Sequence, residues 1–536
     1  MPYVVTRSCC ADASCVLACP VNCIHPAPGE PGFGTTEMLY VDPRTCVDCG
    51  ACTTACPVDA LKPHTALGEA ELPFLELNAS YYKENAHADR APMYVVPRQR
   101  RLPKGELSVA VVGAGPAGLF AADELLRHPG VRVTVYDRLP TPYGLARAGV
   151  APDHQDTKRV TELFRAIESQ AAFSYRLGVE VGTDVTHADL LREHHAVIYA
   201  VGAATDKRLG IEGEELTGSI SATDFVGWYN GHPDRAHDAP DLGSERAVVI
   251  GNGNVALDVA RILTADPDTL ARTDISDRAL AALRTSKVRE VVVLGRRGPA
   301  HAAFTVPELL ALSALEDVDV RVEGRPEELA PDTTEKTRLL AELAARTPVE
   351  GRRRIVLRFL TSPVRIVGDG SVRALEITTT TLHTDPDGTV RARPTGDTRT
   401  LATGLVLRSI GYRARPVPGL PFDEDTGTIP HASGRVEPGV YVAGWIKRGP
   451  TGFIGTNRTC AQETVESLLD DFCAGHLARP VSTSGTEGRA LGLEAWRAID
   501  RAERAAGEAQ ERPRVKLTDS DSLHRAAAQS VPAVRG

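Results

Sequence analysis

The chain has 536 residues, more than one ordinary hydrophobic core holds, so we expect two to four domains. Its composition is that of a globular protein, and a net charge of −9 over this length argues against nucleic acid as a partner. No apolar run approaches the roughly 18 residues of a membrane span, and residues 1–9 lack the basic and apolar regions of a secretory signal, so we expect a cytoplasmic protein without a membrane span.

The cysteines are concentrated at the N-terminus. Nine of the eleven lie between Cys9 and Cys56, and the other two are Cys460 and Cys473. A disulfide scaffold needs an oxidising compartment, which nothing else in the sequence indicates. Clustered cysteines in a cytosolic chain usually bind metal, so the chain is predicted to begin with a metal-binding module.

The second half of this segment has the ligand spacing of a bacterial iron–sulfur protein, Cys46-x2-Cys49-x2-Cys52-x3-Cys56-Pro57. Three closely spaced thiolates bind three irons of one cluster, and the fourth, before proline, binds the other cluster of a pair. Zinc is the alternative, but zinc sites prefer two Cys-x-x-Cys pairs separated by a longer loop. The spacing therefore favours iron–sulfur clusters.

The same spacing occurs 37 residues earlier, which indicates an internal duplication. We expect a small pseudo-symmetric fold, similar to bacterial ferredoxins, with two clusters that exchange their fourth ligands. The first cluster site is predicted to contain Cys9, Cys15 and Cys56, with Asp12 at the remaining position, and the second to contain Cys19, Cys46, Cys49 and Cys52.

Asp12 leaves two outcomes open for the first cluster. Its carboxylate binds the fourth iron of a [4Fe–4S] cluster, or that iron is absent and a [3Fe–4S] cluster remains. Cys10 is an alternative ligand to Cys9, and Cys23 is expected to be a buried thiol near a cluster. The run from Cys19 to Ile24 resembles the corresponding piece of seven-iron ferredoxins, which favours the three-iron cluster.

Residues 63–104 mix proline, polar residues and a basic run at 98–101, and we interpret them as a connector that Tyr81 and Tyr82 dock onto a neighbour.

A dinucleotide-binding loop follows at Gly113-Ala-Gly115-Pro-Ala-Gly118, between an apolar strand and a helical pattern. Its glycines permit a tight turn and the close approach of a pyrophosphate to the helix N-terminus. The next strand ends in Asp137, where a ribose-binding carboxylate belongs.

A second loop of this kind lies at Gly251-Asn-Gly253-Asn-Val-Ala256. The strand after it ends in Arg296 and Arg297, with no acid. An acid would bind the ribose of NAD, whereas arginines accommodate the 2′-phosphate of NADP. The alternative is a pair of solvated basic residues.

The order of the two loops fits FAD followed by NADPH, because flavin folds often carry the nicotinamide domain as an insert. The apolar strand ending near Ala203 leads out toward that insert. We interpret the apolar strands at 404–411 and 439–443 as the return of the flavin half. A glycine-rich stretch at 449–457 then leads into a helical pattern.

From Leu107 to about Leu517 the chain resembles the ferredoxin–NADP reductases of the adrenodoxin reductase family. The stretches that carry the resemblance are 142–154, 251–261, 296–299, 443–455, 496–500 and 512–516. The N-terminal module makes it similar to the ferredoxin-fused members. The resemblance implies an α/β fold with a ferredoxin-like module and two Rossmann-like domains, the NADP-binding one inserted into the FAD-binding one.

The expected boundaries follow from the motifs and this resemblance. They are a ferredoxin module at 1–62, the connector at 63–104, the FAD-binding domain at 105–206 and 405–519, the NADP-binding domain at 207–404, and a tail at 520–536.

The resemblance also implies site residues. FAD contacts are expected at Gly113, Gly115, Ala117, Gly118, Asp137, Leu145, Trp445, Gly452, Phe453 and Ile454. NADP contacts are expected at Asn252, Gly253, Asn254, Val255, Arg296, Arg297, Glu308 and Gly452, and at Lys207 or Arg208. The family often has a single arginine after the aspartate at 206, so which of these two bases acts is open. A second carboxylate of the family is replaced by Ala311. His154 has either a proton-transfer role or the role of a buried hydrogen-bonding histidine.

The implied activity is that of a ferredoxin–NADP(+) reductase. NADPH would pass a hydride to FAD, and the flavin would release single electrons to the fused clusters, a separate ferredoxin or a cytochrome-type haem monooxygenase. One alternative is an electron-input subunit that feeds a separate synthase or dehydrogenase. Another is a redox-sensing or iron-storing module on an inactive reductase fold.

Overall fold

The computed structural model describes residues 2–93, 100–103, 105–324, 334–481 and 490–529. Arg98 and Gln99 of the predicted basic run lie outside these ranges. The described chain forms a small cysteine-rich module and two six-stranded sheets flanked by helices, as the predicted α/β architecture requires. No helix within the described ranges is long and apolar enough to cross a membrane.

The cysteine-rich module repeats its backbone turns as the duplication predicts. Its elements are β1 (Tyr3–Val5), α1 (Ser14–Ala18), β2 (Ile24–His25), β3 (Tyr40–Val41), α2 (Ala51–Ala55), β4 (Leu61–Pro63), 3-10 turns at His64–Ala66 and Glu69–Glu71, and α3 (Pro73–Glu84). Helices α1 and α2 are 37 residues apart, and each follows a left-handed residue, Ala13 with φ 61° and Gly50 with φ 73°. Positive φ recurs at the same offset at Ala11 and Asp48 and again at Asn22 and Asp59.

The module extends farther than the sequence predicted. Strand β4 pairs with β1, and α3 packs on β1 and β3, so residues 63–84 belong to the module and are not a connector. Buried Asn78 hydrogen-bonds the backbone of both β1 and β3. Tyr81 stacks on Tyr40, and the Tyr82 hydroxyl donates to the Tyr40 carbonyl oxygen at 2.7 Å. The predicted docking of Tyr81 and Tyr82 is confirmed, and their neighbour is the module itself.

The reductase part begins with one half of a Rossmann-like domain. Its elements are β5 (Leu107–Val112), α4 (Pro116–Leu126), β6 (Val131–Asp137), α5 (Leu145–Ala148), α6 (Gln155–Lys158), α7 (Val160–Glu168), β7 (Phe173–Leu177), α8 (His187–Glu193) and β8 (Ala196–Tyr199). Strands β5 and β8 are almost entirely buried, as parallel strands covered by helices on both faces are.

The insert follows with its own sheet. Its elements are β9 (Thr205–Asp206), β10 (Ser219–Ser221), α9 (Ala222–Tyr229), β11 (Arg246–Ile250), α10 (Asn254–Thr264), α11 (Pro267–Leu270), α12 (Asp277–Arg284), β12 (Glu290–Leu294), a 3-10 turn at Pro299–His301, α13 (Val306–Ser313), β13 (Val318–Glu323), α14 (Glu335–Ala345), β14 (Arg353–Arg358), β15 (Thr361–Asp369), β16 (Ser371–Thr384), β17 (Val390–Ala402) and β18 (Leu405–Arg408). Strands β15 to β17 form a separate antiparallel sheet.

The chain then returns to the first domain through β19 (Tyr412–Arg413), β20 (Arg435–Glu437), β21 (Val440–Val442), α15 (Trp445–Arg448), α16 (Thr456–Cys473), α17 (Leu493–Glu508) and α18 (Ser520–Ala528). The first large sheet has the order β20-β21-β8-β5-β6-β7, so it joins strands from both sides of the insert. Within it only β20 runs antiparallel to its neighbour.

The second large sheet has the order β10-β18-β11-β12-β14-β13 and is parallel throughout. The boundary predicted at 404/405 is therefore wrong, because β18 pairs with β10 and β11 and belongs to the insert. Its buried apolar run suits either sheet, and only the pairing reveals which one it joins. The chain leaves the insert after Arg408, and the short pair β9 and β19 connects the two domains.

The predicted tail at 520–536 is also corrected. Residues 520–528 form α18, which packs on α17 with Leu523, Ala526 and Ala527 buried. Asp519 caps this helix by accepting a hydrogen bond from the Ser522 N–H at 2.8 Å. Residues 530–536 lie outside the described chain.

Candidate functional site

The two glycine loops have the same backbone geometry. Gly113 and Gly251 both have φ 111°, where only glycine is free of strain. A Cβ on either would lie 2.4 Å or 2.1 Å from a backbone carbonyl oxygen. By contrast, a Cβ on Gly115 would have its nearest neighbour 4.0 Å away, and one on Gly253 would have none within 4 Å. In each loop the first glycine makes the turn and the second leaves room for a ligand, as dinucleotide binding requires.

The carboxylate of Asp137 is held against the first loop. It accepts hydrogen bonds from the Ala114 N–H at 2.8 Å and the Leu139 N–H at 2.9 Å. Burial raises the pKa of Asp137, and these two hydrogen bonds oppose that shift. The acid that the sequence placed at the end of a strand therefore lies at the loop where a ribose would bind.

The remaining residues predicted to contact FAD gather around the same loop. Gly118 packs so closely against Gly113 that a Cβ at position 118 would lie 1.9 Å from the Gly113 carbonyl oxygen. Leu145 begins α5 directly after Gly144, which adjoins Gly115. Gly444 adjoins Ala117, which brings Trp445 and α15 to helix α4.

Gly452, Phe453 and Ile454 form the turn before α16, which packs along α4. Phe453 N–H donates to the Thr456 hydroxyl at 3.0 Å, which fixes this turn. The two halves of the predicted flavin site, separated by the whole insert in sequence, therefore meet in space.

The second loop is tied to the helix that carries Glu308. Asn254 accepts a hydrogen bond from the Thr305 N–H at 2.9 Å, and Asn252 accepts one from the Ala303 N–H at 3.4 Å. These asparagines therefore shape the loop with their side chains, and Val255 follows in the first turn of α10. Glu308 lies in the first turn of α13.

Arg296 and Arg297 follow the end of β12, next to the second loop. Arg296 is exposed and Arg297 is half-buried. Neither guanidinium has a hydrogen bond or an ion pair with any residue that the structure describes. Both are therefore available to an anionic ligand.

Lys207 and Arg208 are both exposed, and Arg208 pairs with Glu215. Asp206, the residue before them, pairs with Arg408, a buried residue at the end of β18 that is not among the predicted site residues. An arginine ending a buried apolar strand is a signal that could have identified it. The expectation that Lys207 or Arg208 contacts NADP stays a prediction.

His154 lies in a cluster of charged residues between the two domains. Its Nε2 is 2.9 Å from Arg261 Nη1 and also contacts Arg7 of the cysteine-rich module. Arg261 pairs with Asp258 at 2.8 Å. Because a guanidinium only donates, Nε2 of His154 accepts, and the ring proton is on Nδ1.

The charges of this cluster set its protonation states. Burial, reinforced by Arg261 and Arg7, lowers the pKa of His154 well below its usual range, so the ring is neutral. Burial raises the pKa of Asp258 to about 7, and Arg261 opposes this rise. His154 and Glu308 were predicted as site residues from the sequence, but Arg7 was not. Nothing near Arg7 in sequence indicates its contacts with these two distant residues.

The second predicted cluster site is a cavity lined by all four of its expected cysteines, Cys19, Cys46, Cys49 and Cys52. Cys23 also lines it, with its sulfur 3.4 Å from that of Cys19. Cys49 is exposed, and the neighbouring Val47 is 58% exposed. Four thiols converging on one cavity fit a four-iron cluster, and the site opens to solvent.

The first predicted site brings Cys9, Cys15 and Cys56 together with Asp12. Burial raises the pKa of Cys9, and the nearby charges of Cys56 and Asp12 add to this rise. Cys10 is buried beside them.

The Asp12 carboxylate already has partners. It accepts a hydrogen bond from the Ser14 hydroxyl and lies 3.5 Å from Arg458 Nη1, which belongs to α16. Burial raises the pKa of Asp12, and Ser14 and Arg458 both oppose this rise. The first site thus offers three thiols and a carboxylate held by the reductase part.

The first site touches the turn predicted to bind flavin. The Gly455 N–H donates to the Cys10 carbonyl oxygen at 2.8 Å. A Cβ on Gly455 would lie 2.3 Å from the Ala11 carbonyl carbon and 2.4 Å from Asp12 N, so only glycine permits this approach. Gly455 immediately follows Ile454, the last of the predicted flavin contacts.

Two family models match the chain. One described as pyridine nucleotide-disulphide oxidoreductase covers residues 107–453, and one described as 4Fe-4S binding domain covers residues 39–62. The first contains both glycine loops, and the second contains the cysteine run from Cys46 to Cys56.

Similar proteins match nearly the whole chain or about four fifths of it. A Mycobacterium tuberculosis protein named probable ferredoxin/ferredoxin–NADP reductase is 52% identical over 569 aligned positions, which cover 99% of this chain and 96% of that protein. The mitochondrial NADPH:adrenodoxin oxidoreductase of Arabidopsis thaliana is 39% identical, covering 79% of this chain and 95% of that protein. The solved structure of Mycobacterium tuberculosis FprA in complex with NADPH has a TM-score of 0.75 at 44% identity, and covers 79% of this chain and all of that one.

Proposed function

The chain belongs to the ferredoxin–NADP reductases related to adrenodoxin reductase, with a ferredoxin module fused to its reductase part, and we propose that this module is the first electron acceptor of its own flavin. The enzyme transfers electrons from NADPH through FAD to ferredoxin. When bound, FAD takes a hydride from NADPH and gives up the two electrons singly to iron–sulfur clusters. The residues of the chain bind, orient and surround these groups.

The first glycine loop would hold FAD. Gly113 makes the turn and Gly115 would admit the pyrophosphate, the N-terminus of α4 would supply N–H donors to it, and Asp137 would accept a hydrogen bond from the ribose. Leu145 and Trp445, from opposite sides of the insert, would enclose the flavin. The turn at residues 452–454 would complete the site and direct it toward the module.

The second loop would hold NADPH in the same way, at the N-terminus of α10. Gly253 leaves room for its pyrophosphate. Arg296 and Arg297, which have no partner among the described residues, would bind the 2′-phosphate that distinguishes NADPH from NADH. Glu308 and the neutral His154 would face the nicotinamide end.

The two cluster sites would hold different clusters. The second site offers four cysteines and would bind a [4Fe–4S] cluster. At the first site the Asp12 carboxylate is held by Ser14 and Arg458, so we assign it a [3Fe–4S] cluster with three cysteine ligands. The exposed edge at Val47 and Cys49 is the surface where a separate ferredoxin or a haem monooxygenase would approach.

The contact between Gly455 and Cys10 is the observation that carries the proposal, because it joins the predicted flavin turn to the first cluster loop through backbone atoms. The test replaces Gly455 with alanine in the full-length protein. The new methyl group meets the backbone of Ala11 and Asp12, so it should push the module away from the flavin.

We expect NADPH to bleach the flavin of Gly455→Ala as fast as that of the wild type, while reduction of the clusters becomes much slower. Anaerobic stopped-flow absorbance follows the flavin, and freeze-quenched EPR follows the clusters. Gly34→Ala is the matched control, because a Cβ there meets nothing within 4 Å. Equal cluster reduction rates in Gly455→Ala and the wild type would show that the module does not receive electrons through this contact.

A further inference from the structure

Arg7 of the ferredoxin module reaches into the reductase part. It lies between β1 and the first cysteine, and its side chain is only 25% exposed. Its Nη2 and Nε both donate to Glu308 Oε2, at 2.7 Å and 3.1 Å. The same Nη2 contacts Nε2 of His154. One guanidinium therefore contacts both residues that the proposed function assigns to the nicotinamide end.

A second residue of the module supports the same helix. The Val306 N–H, at the start of α13, donates to Glu37 Oε2 at 2.7 Å. Glu37 also lies 3.6 Å from Lys336 of α14. Because an acid at a helix N-terminus caps its free N–H groups, Glu37 fixes the beginning of α13, and Arg7 fixes Glu308 two residues later.

We propose that Arg7 is a positioning residue of the nicotinamide-nucleotide site, so that the ferredoxin module takes part in binding NADP(H) as well as in accepting electrons. This rests on the proposed function, since Glu308 and His154 are assigned to NADPH there. Arg7 orients the Glu308 carboxylate and neutralises its charge. Together with Arg261 it keeps His154 neutral, with the proton on Nδ1.

The direction of the effect follows from charge. Without Arg7, Glu308 would be an unpaired carboxylate beside a dinucleotide that carries several negative charges, and it would lose its fixed orientation. Both changes weaken nucleotide binding. Because coupling between two sites is reciprocal, bound nucleotide should in turn favour the docked position of the module.

The experiment measures NADP+ binding to the full-length holoprotein, by the change in the flavin absorbance spectrum on titration. We expect Arg7→Gln to raise the Kd for NADP+ about tenfold, the loss expected from breaking one partly buried charged pair. Arg7→Lys keeps the charge and should restore most of the affinity for NADP+. It also provides the test if Arg7→Gln loses its iron. FAD and iron contents are measured for each variant.

Arg159→Gln is the matched control. Arg159 also forms an ion pair between the reductase part and the module, with Asp59 at 3.0 Å, but this pair is exposed, and in the described part of the chain neither residue forms a hydrogen bond or an ion pair with His154 or Glu308. Its Kd should equal that of the wild type. An equal effect of the two glutamine variants would mean that loosening the module in general, and not Arg7 in particular, weakens binding.

A double-mutant cycle with Glu308→Gln completes the test. If Arg7 acts through Glu308, Arg7→Gln should have little further effect once Glu308 is neutral. A full tenfold effect in the Glu308→Gln background, or a Kd for Arg7→Gln within twofold of the wild type, would overturn the inference. If the wild type itself shows no spectral change with NADP+, the proposed function fails instead.

Discussion

The protein contains two internal pairs, and in each pair the backbone is repeated while the side chains at the predicted ligand position change. Helices α1 and α2 and the turns before them recur at an offset of 37 residues, but Asp12 stands where the second copy has Cys49. The two glycine loops share φ 111° at their first glycine. The acid that follows the first loop, Asp137, is replaced after the second by Arg296 and Arg297.

The comparison shows how binding and selectivity are divided. In the proposed function the repeated backbone provides a place for a cluster or a dinucleotide, and the changed side chains determine which one. The helices that follow the two glycine loops show the same division. Helices α4 and α10 are both 11 residues long and lie 138 residues apart, but Phe120 in the core of α4 corresponds to Asp258 of α10, which belongs to the charged cluster around His154.

The largest effects are expected where the shared backbone itself is changed. Gly113→Ala and Gly251→Ala introduce the same clash with a carbonyl oxygen, at 2.4 Å and 2.1 Å. Gly113→Ala should yield protein without FAD. Gly251→Ala should keep its FAD and lose NADP+ binding on the order of a hundredfold.

The measurements are the FAD content of the purified protein and the NADP+ titration of the flavin spectrum. Gly492→Ala, where a Cβ meets nothing within 4 Å, controls for the substitution itself. Normal FAD in Gly113→Ala, or loss of FAD in Gly251→Ala, would break the assignment of one cofactor to each loop.

A smaller effect is expected where only the selective side chains of the second loop change. Replacing both Arg296 and Arg297 with glutamine removes two cations from the proposed 2′-phosphate site but leaves the loop intact. The KM for NADPH should rise about a hundredfold, and the KM for NADH should change less than about threefold. Steady-state reduction of a dye by each nucleotide measures both. Parallel changes in the two constants would refute the selectivity assigned to these arginines.

The smallest and most specific effect is expected from a substitution at Asp12. Asp12→Cys makes the first half match the second, so it should bind a fourth iron and convert the proposed three-iron cluster into a four-iron cluster. The EPR signal of the oxidised protein should disappear, and iron per FAD should rise by about one. Asp12→Asn, which supplies no thiolate, should keep the signal. A wild-type protein without a signal in the oxidised state would instead show that Asp12 already binds iron.

Local patterns predicted the repeated parts of this molecule well. The cysteine spacing and the glycine loops each depend on residues close in sequence, and the structure brings the four cysteines of the second site to one cavity. The end of the chain also carried a readable signal that was missed. Asp519 is a helix cap, and Leu523, Ala526 and Ala527 have the spacing of a buried helical face.

Contacts between distant segments could not be predicted. The buried run of β18 suits either parallel sheet, so its pairing with β11 was not apparent from sequence. Arg7 and Glu308 are 301 residues apart, and neither neighbourhood indicates the other. Arg408, the partner of Asp206, lies 202 residues from it.

One buried charge cluster affects when the junction between the two domains can form during synthesis. Asp274 of the insert pairs with Lys158 at 2.7 Å and with Lys516 at 2.8 Å, and all three side chains are buried. During synthesis Lys158 emerges first and Asp274 next, whereas Lys516 emerges 242 residues after Asp274. Until then the buried carboxylate has one of its two cations. The junction between the domains is therefore closed only after the whole insert has left the ribosome.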